Sequence, residues 1–256
     1  MLLVVRATSL LFLCTLAGCN FRIDPLASGG GGAGGDGGGV VGNDLGDLAD
    51  LGSTLAGDLA HQGPFLEIQA VPTLQSVDLT AISTVDWAHW GYSSASDFDD
   101  RAGGGGQISN FQQVGVNVPT QFGDGLIAYQ WSDGNKGGGR HDKTMPPGTT
   151  TGIYVLTGGL KITAPADTTV RRLRVFVGQL NAQGQLDASL SDNSAPAVSD
   201  HSYTSSNGVA VNVTYILTYA ASSPGQLITV SWTVLNNSLG NITLQSASLQ
   251  APVFTP

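Results

Sequence analysis

The chain has 256 residues, 36 of them Gly and 11 Pro, and only 11% are charged against a usual ~25%. Nineteen acidic and ten basic side chains leave a net charge of −9. A surface so poor in Lys and Arg repels phosphate backbones, which argues against nucleic acid as a partner.

At the N-terminus, Arg6 and the free amine form a positive region, and Ala7 to Leu16 is an apolar run. The run is too short to span a bilayer and ends in small residues, as a signal peptide does. The segment Leu16-Ala17-Gly18-Cys19 resembles the lipobox of bacterial lipoproteins. That resemblance implies a signal peptide over 1–18, cleavage before Cys19, and acylation of its thiol and new amine. The alternative is an ordinary secreted protein with a chance Cys. Under the lipobox reading Cys14 leaves with the signal peptide, and the mature chain keeps no thiol for a disulfide, zinc site or nucleophile. Several acyl chains anchor stably where one is marginal. By resemblance to the enterobacterial sorting rule, Asn20 permits the outer membrane. The implied location is the bacterial cell envelope, with the membrane as a partner through Cys19.

Residues 19–64 read as a linker. Fourteen of the 36 glycines lie between 29 and 63, followed by the Asp-Leu pairs Asp44-Leu45, Asp47-Leu48, Asp50-Leu51 and Asp58-Leu59. Their spacing fits neither a helix nor a strand, and Phe21 is the only aromatic between Cys19 and Pro64. Such a stretch buries too little to offset its chain entropy; a short helix over 44–60 is the competing reading. As a flexible coil it spans roughly 35–40 Å and sets the following domain off the membrane.

From Phe65 to Pro256 apolar residues alternate. Candidate strands are Leu66–Ala70, Val77–Ala81, Val85–Trp90, Ile108–Val114, Leu126–Trp131, Gly152–Leu156 and Leu160–Thr163. Others centre on Leu173–Val177, Leu186–Leu190, Val209–Tyr219, Ile228–Val234 and Ile242–Leu249. Gly, Pro, Asn and Asp clusters separate them, and no stretch has a helical period. The expected fold is all-β, an antiparallel, jelly-roll-like β-sandwich in one domain over 65–256.

Several segments together look familiar: Asp86-Trp87-Ala88-His89-Trp90-Gly91, Ile108-Ser109-Asn110-Phe111, Trp131-Ser132-Asp133-Gly134, Thr151-Gly152-Ile153-Tyr154, Pro165–Thr169, Leu173–Gly178 and Leu190–Ser194. They resemble a module of bacterial extracellular and surface proteins often found beside carbohydrate-active domains. The resemblance spans roughly Val77 to Leu249 and implies a sandwich in an extracellular setting, without a reaction. Asn193 stands where the module has Gly.

Strand alternation places Val85, Trp87 and His89 on one face, and Asp86, Ala88 and Trp90 on the other. One Trp is then expected in the core and the other more open. Trp90, Asp86 and Tyr92 would form an aromatic platform with a carboxylate, suited to the C–H faces and hydroxyls of a sugar. The competing and favoured reading packs both Trp residues between sheets, with His89 bonded to a carbonyl. Trp131 and Asp133 open a Gly-rich loop running to Asp142, which reads as a sugar-binding loop or a weak calcium site. Asp133 and Asn135 have the first two ligand spacings of a calcium loop, but Gly137 falls at the third ligand position and Thr144 at the twelfth, where a bidentate Glu is needed. An Asx-type turn at Asp133 explains the same residues. Asp97, Asp99 and Asp100 read as a solvated acidic turn.

Catalytic signatures are sparse. Glu67 is the only Glu, so a glycosidase would have to pair Asp residues, for instance Asp86 and Asp133. His89, His141 and His201 have no metal-ligand spacing, and the Gly runs lack the strand-to-helix setting of a phosphate loop. Asn212-Val213-Thr214, Asn236-Asn237-Ser238 and Asn241-Ile242-Thr243 match a glycosylation sequon that means little in a bacterium. Arg171, Arg172 and Arg174 form the one basic cluster, suited to an acidic polymer or lipid headgroups or, more simply, to guarding a strand against edge pairing. The sequence thus points to a non-catalytic surface protein binding glycan or another surface component, with no cofactor beyond possible calcium. A spacer without a small ligand and an Asp-dependent glycan hydrolase are the rivals.

Overall fold

The computed structural model describes residues 63–136, 141–148 and 150–251. Cys19, the linker up to Gln62, and the centre of the Gly137–Asp142 loop lie outside the described residues. In chain order the elements are β1 (Phe65–Pro72), β2 (Ser76–Asp78), α1 (Leu79–Ile82), β3 (Asp86–Trp90), β4 (Phe98–Asp100), β5 (Gln112–Val114), β6 (Thr120–Gly125) and β7 (Ala128–Gly134). They continue with β8 (His141–Met145), β9 (Thr150–Val155), β10 (Gly159–Ala166), β11 (Arg171–Leu190), β12 (Val198–Asp200), β13 (Val211–Ala220) and β14 (Gln226–Gln250).

Two long antiparallel strands organise the fold. β11 and β14 pair along almost their whole length, and the pairing slips on either side of Ala182. There Asn181 takes a left-handed φ of 47°, a conformation Asn tolerates better than most residues. Strands that bend in this way pass from one layer of a sandwich to the other. Residues 171–180 and 241–250 lie in a first layer, ordered β1-β13-β11-β14. Beyond β14 that layer divides, to β3 and β4 along 246–249 and to β9 and β6 along 242–244. Residues 182–190 and 226–237 lie in a second layer, ordered β12-β11-β14-β10-β5. A separate small sheet, β2-β7-β8, has one parallel pair, β2 with β7. The fold is the expected antiparallel β-sandwich.

The inner faces meet in one apolar core. Leu173, Val175, Val177, Leu217 and Leu249 come from the first layer, and Leu160, Ile162, Leu186, Ile228 and Val230 from the second. Tyr215 and Trp232 bridge the layers with ring centroids 5.8 Å apart, and the Tyr219 hydroxyl donates to Pro165 O at 3.0 Å. A second core lies on the outer face of the first layer, where Trp87 and Phe176 meet Val77, Tyr129, Trp131 and Met145 of the small sheet. β3 is therefore buried on both faces, and all five of its residues are inaccessible.

Several expectations about elements are corrected. Val77–Ala81 is a strand only to Asp78. The Asp78 carboxylate then accepts from Ala81 N at 3.0 Å and caps the short helix α1. The four strands centred on 173–177, 186–190, 228–234 and 242–249 are two continuous ones, because their apolar alternation breaks at the bend without ending the pairing. β4, β6, β8 and β12 are additional strands, mostly short and polar. The face carrying Arg172, Arg174 and Phe176 guards no edge, since β11 is paired on both sides. Phe176 is buried under the small sheet, and Arg174 donates to Gln250 Oε1.

Trp232 fills the space above Gly184, where an added Cβ would lie 2.1 Å from its ring. Gly184→Ala is expected to destabilise the domain by about 1–3 kcal/mol through overpacking. Gly123→Ala, with open space around that position, serves as the control in urea unfolding. Equal midpoints for the two variants would contradict this packing.

Candidate binding site

The residues singled out from the sequence come together, but as a buried network and not as a platform. Asp133 Oδ1 accepts from Trp87 Nε1 at 2.8 Å and from Thr80 Oγ1 at 2.5 Å, while Oδ2 accepts from Arg101 Nε at 2.9 Å. Burial opposes ionisation of Asp133, but these donors outweigh it and hold the carboxyl below its usual range. Asp133 therefore locks the small sheet to β3, and the Asx-type turn considered from sequence does not form, since Asn135 N donates to Asp99 Oδ1 and Asp100 O. Trp90 is fully buried in the main core, and Trp131 lies in the second core, 5.1 Å from Trp87. The face of the half-buried Tyr92 is covered by Lys143, whose Nζ sits 4.0 Å from the ring centroid. No open aromatic surface exists at these positions, and the expectation that one Trp of β3 is open is overturned. Both faces of the strand are covered, each by a different core.

The acidic turn is likewise structural. Asp99 Oδ1 accepts from Asn135 N at 3.1 Å and Lys136 N at 3.0 Å, and Asp97 accepts from Lys136 Nζ at 2.5 Å. Asp97 and Asp99 are buried, not solvated. Asp86 receives three backbone donors: Trp87 N on Oδ1, and Gln107 N and Ile108 N on Oδ2, at 2.8–2.9 Å. They tie the Gly103–Gly106 loop to β3. His89 does not bond a carbonyl; neither ring nitrogen has a hydrogen-bond partner, and the ring packs against Tyr129 and Trp131.

The open concavity lies elsewhere, on the part of the first layer's outer face that the small sheet leaves uncovered. One row of register partners crosses five strands: Asn212 of β13, Gly178 of β11, Thr243 of β14, Tyr154 of β9 and Thr120 of β6. Residues paired in this way share a face of the sheet. Gly178 is the low point of the row. A Cβ there would lie 2.6 Å from Thr243 Oγ1, 2.8 Å from Asn212 Oδ1 and 3.0 Å from Gln245 Nε2. Beside it β14 carries one extra residue: Val177 pairs with Leu244 and Phe176 with Ser246, which leaves Gln245 bulged. A bulge re-aims a side chain. Gln245 Nε2 donates to Asn212 Oδ1 at 2.8 Å and to Thr243 Oγ1 at 3.3 Å, and its Oε1 accepts from Tyr129 OH at 2.8 Å.

The groove over this floor has a volume of about 500 Å³, and Phe122, Leu126 and Tyr154 contribute to its walls. Phe122 and Tyr154 are half-buried, leaving part of each ring accessible. Phe122 can lie close over β9 only because Gly152 has no side chain; a Cβ there would meet its ring at 2.5 Å. Asp124 is the one carboxylate lining the groove among the described residues. Uncharged amides and hydroxyls, which both donate and accept, therefore face aromatic surface. In the sequence Gly178 and Tyr154 stand in the module resemblance and Asn212 and Thr243 in sequons, with nothing to mark them as a site.

No family model matches the chain, and no curated protein matches it. Among solved structures it is similar to a glycoside hydrolase family 43 arabinoxylan arabinofuranohydrolase from Bacillus subtilis, in complex with cellotetraose. The identity is 12% over 56% of this chain and 27% of that one, with a TM-score of 0.25. The chain thus spans about a quarter of that protein's length, and a likeness this loose carries no functional argument.

Two buried groups of β3 give opposite pH dependence. Burial, against its three backbone donors, pushes the Asp86 carboxyl up to about 6 from its usual 3.8. The stability this contributes is present below pH 4 and lost as pH rises towards 6. Burial also pulls the His89 imidazole down to about 3 from 6.5. Its contribution is present above pH 6.5 and lost as pH falls. The two slopes oppose each other between pH 4 and 6. In Asp86→Asn, stability is expected to rise with pH more steeply than in the wild type over that window, as read by urea unfolding. Parallel curves would mean that Asp86 titrates as an exposed carboxylate does.

Proposed function

We propose that this chain is a lipid-anchored bacterial surface protein whose β-sandwich binds an uncharged glycan, without catalysis, in the groove over Gly178. The observation that carries the glycan reading is the row Asn212–Gly178–Thr243–Tyr154 with the bulged Gln245 beside it. It sets amide and hydroxyl groups next to the rings of Phe122 and Tyr154. Sugars present hydroxyls that need paired donors and acceptors, and C–H faces that lie on aromatic rings. The one charge described in the groove lining is the Asp124 carboxylate, which suits a neutral saccharide better than phosphate or an acidic polymer.

Hydrolysis by two carboxylates has little support here. Asp124 is the one acidic residue described in the groove, whereas Asp86 and Asp133 spend their oxygens on Trp87, Gln107, Ile108, Thr80 and Arg101. Lipid anchoring is supported by the sequence Leu16–Cys19 at the end of the apolar leader.

Affinity electrophoresis through gels containing neutral polysaccharides, such as xylan and β-glucan, tests the groove. Retardation is expected for the wild type and at least tenfold weaker affinity for Tyr154→Ala and Asn212→Ala. Equal mobility with and without polysaccharide would leave the spacer reading in its place. Anchoring is tested separately: Cys19→Ser is expected to move the protein from washed membranes to the soluble fraction. A variant that stays in the detergent phase contradicts acylation at that residue.

A further inference from the structure

The corner where β11 and β14 change layers is unusually apolar on its outside. Val116 and Val118 are 93% and 73% exposed, Leu239 is fully exposed, and Leu156 and Leu235 are also open to solvent. These side chains come from three loops that are locked together. Leu156 N donates to Asn117 Oδ1 at 2.9 Å, Asn237 Nδ2 donates to Leu156 O, and Val234 N donates to Gly158 O at 2.8 Å. Gly240 seats the 235–240 loop on the bend, for a Cβ there would lie 1.7 Å from Leu180 O. Segments 115–119, 156–158 and 234–241 contain no charged residue, in a chain that carries 29. The tips hold only aliphatics, Asn, Ser, Thr, Gly and Pro.

Leu239 is the most telling of these. It occupies the left-handed region at φ 60°, where Asn or Gly is favoured and a Leu is strained. Asn237 holds the turn through Gly240 N and O, but among the described residues the Leu239 side chain buries no surface. A strained, fully exposed Leu at the tip of an uncharged corner is explained by a contact outside the chain.

We infer that this corner dips into the interface of a phospholipid bilayer, with the aliphatic tips among the acyl chains and the Asn and Ser amides and hydroxyls at headgroup level. The inference rests on the lipid anchoring proposed above. Neutral aliphatic tips suit the bilayer boundary, where burial and not charge drives insertion. The connection also permits it. Phe65 pairs with Ala220 at the far end of β13, and the seven steps from Phe65 to Pro72 put roughly 23 Å between it and the Val213 end, which lies towards the corner. Residues 20–62 separate Phe65's strand from Cys19, a contour several times that distance. A tether of that contour permits the corner to face the membrane.

The test uses the full chain carrying Cys19→Ser and neutral phosphatidylcholine vesicles, which carry no net charge, in a sedimentation assay. Reversible retention is expected, equal at low and high salt, and at least tenfold weaker when Leu156→Ser and Leu239→Asn are added. Leu239→Asn alone is expected to raise the melting temperature while weakening retention, since Asn relieves the strained φ. That pairing separates loss of binding from loss of folding. No retention, retention abolished by salt, or retention indifferent to the two leucines would overturn the inference. So would a dimer of the Cys19→Ser chain that the double variant dissolves, for the patch would then belong to a second copy. Anchoring stands or falls independently, on the membrane fractionation of the chain with Cys19 intact.

Discussion

The continuity of β11 and β14 through both layers is the constraint on which the remaining structure depends. Two strands of 20 and 25 residues would make a ribbon with one solvated face if they ran straight. The bend at Asn181 and the slip in pairing around it fold that ribbon onto itself, so Tyr215 reaches Trp232 and the two apolar faces cover each other. Gly184 and Gly240 are bound up with the same bend. One admits the Trp232 ring and the other lets the 235–240 loop rest on the carbonyls of Leu180 and Asn181. The backbone of the corner turns on Asn181, Gly184 and Gly240, none of which carries an apolar side chain that would advertise the role.

Folding the ribbon leaves the outer face of the first layer to be covered or used. The small sheet covers the part around Trp87 and Phe176, and the buried carboxylate of Asp133 fastens it there through Trp87, Thr80 and Arg101. Removing one partner from such a network leaves a polar group buried and unsatisfied, the costly direction of change. What the small sheet does not reach becomes the groove. Tyr129 marks the boundary, since its ring lies in the second core while its hydroxyl holds Gln245 at the edge of the groove floor. Cover and groove are two treatments of one sheet face.

Much of the fold was legible because period-two alternation is a local property. Leu173, Val175 and Val177, or Ile228, Val230 and Trp232, announce a buried face without reference to any partner. The faces of β3 were also assigned correctly from alternation alone, with Trp87 and His89 on one side and Ala88 and Trp90 on the other. Alternation cannot say whether the second face meets water or another layer, and here it met the small sheet. For that reason Trp90, Asp86 and Tyr92 could be read as an open sugar platform, whereas the favoured reading, with both Trp residues of β3 packed away from solvent, is the one the structure bears out. The short strands β4, β6, β8 and β12 have no signature in the sequence because segments such as Phe98-Asp99-Asp100 take their strand form from a neighbour's hydrogen bonds and not from their own apolar pattern.

By itself the sequence determined the class of the domain and the identity of most core residues, because both are written in the alternation of consecutive residues. Only the tertiary structure decided where a ligand can sit. Asn212, Gly178, Thr243 and Tyr154 come from four strands separated by long stretches of chain, and what unites them is register across a sheet. Register is set by where β11 bends and by the extra residue at Gln245. Neither leaves a mark in the local sequence, since a bulge is a relation between two strands and not a property of one.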